Sequence, residues 1–174
     1  VLKYQTTSTA QRRQVTAIIE TSLAECGIGL DVEFLTPNEL YSPGPAGPLF
    51  GRQFDLAQYA LGVESIEPPC SWFTSASIPS ESNSWVGSNI TGYGNEEYDS
   101  ACQTARSSLR EDPSYLPSYR ETQILLAENL PAIPLYSRLR IAAARPDLCG
   151  FALDPTANPL ADIESFGIGE TCQN

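Results

Sequence analysis

A chain of 174 residues, 41% hydrophobic and 18% charged, is long enough to bury most of the apolar surface it would expose unfolded, so it reads as one globular domain rather than a disordered tail. The formal net charge of −11, with only ten basic residues, argues against nucleic acid and anionic membrane surfaces, which both reward a basic face, and leaves cationic or neutral ligands as easier partners. No apolar run approaches the roughly 18 residues of a membrane span, and the absence of histidine removes serine–histidine and cysteine–histidine catalysis together with histidine metal sites.

In chain order, Leu2–Thr7 reads as a short strand. Ser8 with Gln11 forms a capping-box start for a helix whose apolar side carries Val15, Ile18, Ile19, Ser22, Leu23 and Cys26, and Gly27 ends it. From Ile28 to Leu35 the chain alternates, with Leu30, Val32 and Phe34 on one face and Asp31 and Glu33 on the other, as a half-buried strand does. Strand, helix and strand in this succession predict a right-handed βαβ unit with a parallel pair. The run Pro43-Gly44-Pro45-Ala46-Gly47-Pro48 cannot be regular structure and predicts a loop. It has neither the lysine nor the following helix of a phosphate-binding loop. Phe54–Leu61 is nearly all apolar, which suits a central strand covered on both faces.

Between Gly62 and Gly94 lies a long stretch rich in Ser, Pro, Gly and Asn that still carries Trp72, Phe73, Trp85 and Tyr93. So long an irregular segment inside a domain is often functional, and the binding site is expected there. Asn95 caps the next predicted helix, with Glu96, Glu97 and Asp99 at its start and Arg106 and Arg110 at its end, an order that complements the helix dipole. A further helix follows Asp112-Pro113, irregular at Pro117, with Tyr119, Gln123, Leu126 and Leu130 along one stripe. Ala132–Ser137 reads as a buried strand, placed at an edge or bulge by Pro134.

The five cysteines are spaced too widely for a paired zinc site. Disulfides formed in an oxidising compartment are the better reading, against the alternative of five reduced thiols in the cytosol. Cys26 is expected to be the odd one, buried on the apolar side of its helix. Cys70 with Cys102 would tie the long loop to the helix that closes it, and Cys149 with Cys172 would clip the tail.

Several short motifs occur in a fixed order: Arg52-Gln53-Phe54-Asp55-Leu56, Asn89-Ile90-Thr91-Gly92-Tyr93-Gly94-Asn95-Glu96-Glu97-Tyr98-Asp99, Leu130-Pro131-Ala132-Ile133-Pro134-Leu135-Tyr136 and Arg145-Pro146-Asp147-Leu148. Their order and spacing resemble the C-terminal part of the family 5 extracellular solute-binding proteins, the peptide and nickel binders of ABC importers. The resemblance implies an α/β fold with a mixed sheet and a βαβ unit, the C-terminal lobe of a two-lobed, Venus-flytrap, class II-like periplasmic binding protein. Residues 1–144 would be part of the ligand-binding lobe, and residues 145–174 a segment returning to the other lobe. With methionine absent even at position 1, the chain is expected to be a mature or excised piece.

The resemblance implies ligand capture without catalysis or cofactor. A monomeric solute-binding protein, extracytoplasmic and lipid-anchored in its full-length form, would deliver a small solute, most simply a peptide, to an inner-membrane permease. In peptide-binding members an acidic residue shortly after the strand and four positions before a proline pairs with the peptide's ammonium group; here that residue is Glu64, with Glu67 as competitor. The aromatic often found before that acid is Leu61 here. Trp72, Phe73, Trp85 and Tyr93 could line an apolar pocket, or simply pin the loop to the lobe, and Asn89 could orient that loop through its amide. The same Asn89-Ile90-Thr91 triplet spells a glycosylation sequon, a pattern that often arises by chance. Two other classes remain: a secreted glycoside hydrolase using carboxylates such as Glu64 with Glu67 or Asp99, and a structural surface domain.

Overall fold

The computed structural model describes residues 1–62, 67–137, 139, 141–154, 157–158 and 160–169. These fall into two compact units, Val1–Leu61 with Cys70–Ala132, and Gly62–Pro69 with Ile133–Asn174.

The first unit begins with the expected βαβ arrangement. Strand β1 (Leu2–Thr7) is followed by helix α1 (Ala10–Glu25) and by strand β2 (Leu30–Leu35), and the two strands pair in parallel from Leu2 opposite Leu30 to Thr7 opposite Leu35. The guanidinium of Arg13 lies over the Phe34 ring, 4.3 Å from its centroid, where α1 crosses β2. Helix α1 is capped by Thr9 rather than Ser8, because Thr9 is the extended residue whose hydroxyl accepts from the Arg12 amide. Its inward stripe is also rotated from the predicted one. Arg12 and Thr16 are buried and Val15, Ile19 and Leu23 half-buried, while Ile18 and Ser22 face out. Cys26 is free, as expected, but sits exposed at the helix C-cap instead of in a core.

Two residues, Leu56–Ala57, form strand β3, and the sheet order is β2-β1-β3. The predicted central strand at Phe54–Leu61 is therefore at an edge among the described residues, with β1 in the middle. Its ladder stops at Gln58, whose amide still donates to Gln5 O but whose carbonyl is taken by side chains. On one side of this sheet Leu40, Leu49 and Ile90 form a core with Leu35, Phe50, Phe54, Ala57 and Tyr59 packed against it. Leu40 is placed there by the one-turn helix α2 (Pro37–Leu40), which has Pro at its first position and a capping box between Thr36 and Glu39.

Helix α3 (Glu96–Ser107) starts where predicted, with the Asn95 side chain accepting from the Tyr98 amide, whereas Arg110 lies beyond its end. Helix α4 (Tyr115–Asn129) accommodates Pro117 in its first turn, where no intrahelical donor is lost. Its buried residues are Thr122 and Leu125, so the predicted stripe is again rotated: Gln123 and Leu130 are exposed. Tyr98, Cys102, Leu125 and Cys70 form a second core, with Phe73, Tyr93, Tyr119 and Leu126 against it.

In the second unit, strands β4 (Leu148–Cys149) and β5 (Gly167–Ile168) pair antiparallel. The buried strand predicted over Ala132–Ser137 is absent. Pro134 removes a ladder donor, no described strand lies beside the segment, and Ile133, Leu135 and Tyr136 are exposed.

Candidate functional site

The stretch after β3 is ordered by side chains rather than by a ladder. Three 3-10 turns, Cys70–Phe73, Ser75–Ser77 and Glu81–Asn83, are joined through polar contacts. At their centre Asn89 is fully buried. Its Nδ2 donates to Thr74 O at 3.0 Å and Tyr93 O at 2.8 Å, while its Oδ1 accepts from Thr91 Oγ1 at 2.8 Å and from the Tyr93 amide at 3.3 Å. Both ends of the amide are thus engaged within the loop. Asn83 repeats the device, donating to Ile78 O and accepting from the Ser80 amide. Asp99 on α3 accepts from the Ser75 amide at 2.9 Å, and Arg52 donates to Pro79 O at 2.8 Å. These bonds fasten the loop to both flanking segments.

The disulfide Cys70–Cys102 closes this region onto α3 as expected, with the Cα atoms 5.6 Å apart. Beside it Tyr98 donates its hydroxyl to Cys70 O at 2.8 Å, and burial pushes its ionisation well above the ordinary tyrosine value. Tyr93 meets the Tyr98 ring edge-on at 5.5 Å. Burial raises the Tyr93 pKa too.

The four loop aromatics are not gathered into one pocket. Phe73 and Tyr93 pack against the disulfide core. Trp72 is half-buried in the first 3-10 turn. Trp85, at a left-handed φ of 60°, lies over Gly44 so closely that a Cβ there would run into its ring. The proline-rich segment and the aromatic loop thus hold each other. Glu64 lies outside the described residues, and Glu67 is half-buried. Cys149 is disulfide-bonded, while Cys172, the partner expected for it, also lies outside them. Among the described residues no group of three or more His, Cys, Asp or Glu could hold a metal ion, and no helix is long and apolar enough to cross a membrane.

Sequence patterns did not point to one feature. Arg12 is only 5% exposed, yet it stands in the first turn of α1, which contains no acidic residue. Its Nη1 donates to Thr6 Oγ1 at 3.1 Å and Gln58 O at 2.7 Å, and Thr6 Oγ1 in turn donates to Gln58 O at 2.9 Å. The Gln58 side chain is fixed by Tyr4, whose hydroxyl donates to Oε1 at 3.0 Å. This polar cluster occupies the C-terminal ends of β1 and β3. Arginine at a third helical position, against the dipole preference, was the available signal.

No protein-family model matches the chain. Over 70 residues, 40% of the chain, it is 39% identical to the peptide transport periplasmic protein SapA of Salmonella typhimurium. Over a stretch of the same length it is 36% identical to the probable ABC transporter periplasmic-binding protein SapA of Escherichia coli. The matched stretch is 13% of the length of either relative. Its fold is similar to that of an oligopeptide-binding protein from Thermus thermophilus complexed with a pentapeptide: the TM-score is 0.67 at 21% identity, covering 79% of this chain and 24% of that one. The chain thus spans about an eighth of the length of the two periplasmic relatives it matches, and it shares the fold of part of the oligopeptide-binding protein.

Proposed function

We propose that the chain is part of the solute-binding component of an ABC importer, which captures a peptide outside the cytoplasmic membrane and hands it to the permease. The observation that carries this reading is the 70-residue likeness to two periplasmic transport proteins, supported by a fold like that of an oligopeptide binder. On this reading residues 1–144 are part of the C-terminal lobe and residues 145–174 return towards the other lobe, with Cys149 bonded to Cys172. The complete protein acts as a lipid-anchored monomer and catalyses nothing. The ligand lies between two lobes, of which this chain supplies one wall.

On this reading Glu64 is the counter-ion of the peptide's ammonium group, the half-buried Trp72 and Trp85 supply flat apolar contacts, and Asn89 keeps their loop in shape, while Phe73 and Tyr93 serve the disulfide core. An exposed carboxylate gives an ammonium little, whereas one desolvated by lobe closure gives a strong charge-assisted bond. Native purification of the complete protein, followed by mass spectrometry of the co-purified small molecule, tests the function: peptide is expected, and a sugar or a metal chelate would overturn it. Glu64→Gln keeps the shape and removes the charge, and should weaken peptide binding by about 2–5 kcal/mol, roughly 30-fold or more. Binding within about threefold of the parent would remove Glu64 from the site.

A further inference from the structure

We propose that Gly44 is a positioning residue for Trp85: it seats the indole on the proline-rich segment, and so holds a flat apolar surface in place for an apolar side chain of the bound peptide. A Cβ on Gly44 would stand 2.6 Å from Cδ2 and 2.8 Å from Cγ of Trp85, so only glycine lets the ring settle against this backbone. The seat is itself fixed. The Gly47 amide donates to Pro43 O at 3.0 Å, the Leu49 amide donates to Leu40 O at 3.4 Å, and Leu49 belongs to the core beside the sheet. The proline-rich segment is therefore a platform tied to the sheet.

The backbone is strained to bring the ring there. Ser84 and Trp85 follow one another in the left-handed region, at φ 55° and 60°, a conformation that glycine adopts freely and a bulky side chain does not. The Trp85 amide donates to Ser80 O at 2.8 Å and closes the turn that imposes it. Fastening the loop does not require this strain, since Asn83, Asn89, Asp99 and Arg52 already hold it through hydrogen bonds. Nor is Trp85 enclosed as an anchor would be: it is half-buried, and Val86 beside it is 73% exposed. Residues held in such conformations cluster at ligand clamps and other functional positions. A tryptophan seated on one side and open elsewhere presents a rigid surface, and little freedom is lost when a ligand side chain packs on it.

The inference rests on the peptide reading and on the part it gives to Trp85. Two pentapeptide pools with free termini, one built from Ala, Leu, Val and Tyr and the other from Gly, Ser, Thr and Asn, are titrated calorimetrically into the complete protein; their common ammonium keeps the Glu64 contribution equal. Trp85→Ala should weaken binding of the first pool about fivefold or more and leave the second within about twofold. Gly44→Ala should weaken the first pool alone, about threefold or more, and add nothing further in the Trp85→Ala protein, because its effect passes through the ring. In fluorine NMR of protein labelled with fluorinated tryptophan, the Trp85 resonance, assigned by its loss in Trp85→Phe, should move on Gly44→Ala before any peptide is added. An unmoved resonance overturns the inference, as does a first-pool affinity that Gly44→Ala leaves unchanged, or a penalty that falls on both pools alike or persists undiminished without Trp85. If Trp85→Ala binds both pools as the parent does, Trp85 is no contact and the inference fails while the peptide reading stands. If the parent binds neither pool, the peptide reading itself has failed and the inference falls with it.

Discussion

The sheet and the aromatic loop of the first unit solve one problem in two ways. Around β1 the backbone satisfies itself through parallel ladders, and the core of Leu40, Leu49 and Ile90 comes from apolar side chains of nearby segments. From Cys70 to Tyr93 there is no ladder; buried carbonyls are satisfied by Asn89, Asn83, Arg52 and Tyr98, and a disulfide supplies constraint that apolar contact does not. A loop that must keep a defined surface without strands needs side chains in place of backbone partners. Its stability is then concentrated in few residues, whereas that of the sheet is spread over many.

The comparison breaks most visibly at the disulfide. Replacing both Cys70 and Cys102 by Ser reopens a loop with a sequence separation of 32, and should cost about 3 kcal/mol in a denaturant titration. Hydrogen exchange should rise across the loop and α3 while the β1–β2 amides change little; uniform loss of protection would show the two regions to be one cooperative unit. Next in size, Asn89→Ala removes a fully buried amide from the part-buried carbonyls of Thr74 and Tyr93 and should cost about 2 kcal/mol. A loss below about 0.5 kcal/mol would mean that water replaces the amide, and that the loop is less dependent on single residues than argued.

Tyr98→Phe removes only the bond to Cys70 O and should cost about 1–2 kcal/mol at neutral pH. The tyrosines also give each region an alkaline signature. Burial raises Tyr59, in the sheet core, to about 12, with the neighbouring Tyr41 adding a smaller effect, and it raises Tyr98 in the disulfide core. A folded-state pKa above the unfolded value near 10 means that their contribution is complete below about pH 10 and is lost as pH rises through the folded values. Phenolate absorbance should show a delayed fraction that Tyr98→Phe reduces and that unfolding by denaturant abolishes. The smallest effect is expected at the entry of α2, where Thr36→Ala removes a cap worth about 1 kcal/mol and should leave loop exchange unchanged. Glu39, lowered by its bonds to the Thr36 amide and hydroxyl, stabilises above its ordinary range near 4.5, and that contribution fades as pH falls below it.

Local signals were the legible ones. The Leu2–Leu35 unit and the Asn95 cap are legible because a period and a capping side chain are written in neighbouring residues, and the Cys70–Cys102 bond, at a sequence separation of 32, is legible from one cysteine at the start of the long loop and the other in the helix after it. The covered faces of α1 and α4 lie one step from the expected ones, because which side of a helix is covered depends on what lies against it: Arg12 and Thr16 turn inward although Ile18 is the more apolar, and Thr122 turns inward although Gln123 fits the stripe. The aromatic loop stands out in the sequence as unusual, but nothing in its composition distinguishes Phe73 and Tyr93, which pack on the core, from Trp85, which covers Gly44.

By itself the sequence determined the class of the fold, the absence of histidine chemistry, and the likeness to solute-binding proteins, because these depend on residue identity and order alone. Only the tertiary structure decided that β1 and not the Phe54–Leu61 segment is central, that Ala132–Ser137 finds no described strand to pair with, and that an arginine is buried at the sheet's carboxyl end without a counter-ion among the described residues. The physical reason is common to all three. Burial, pairing and charge compensation are properties of residues distant in the chain and adjacent in space, so no local pattern can carry them.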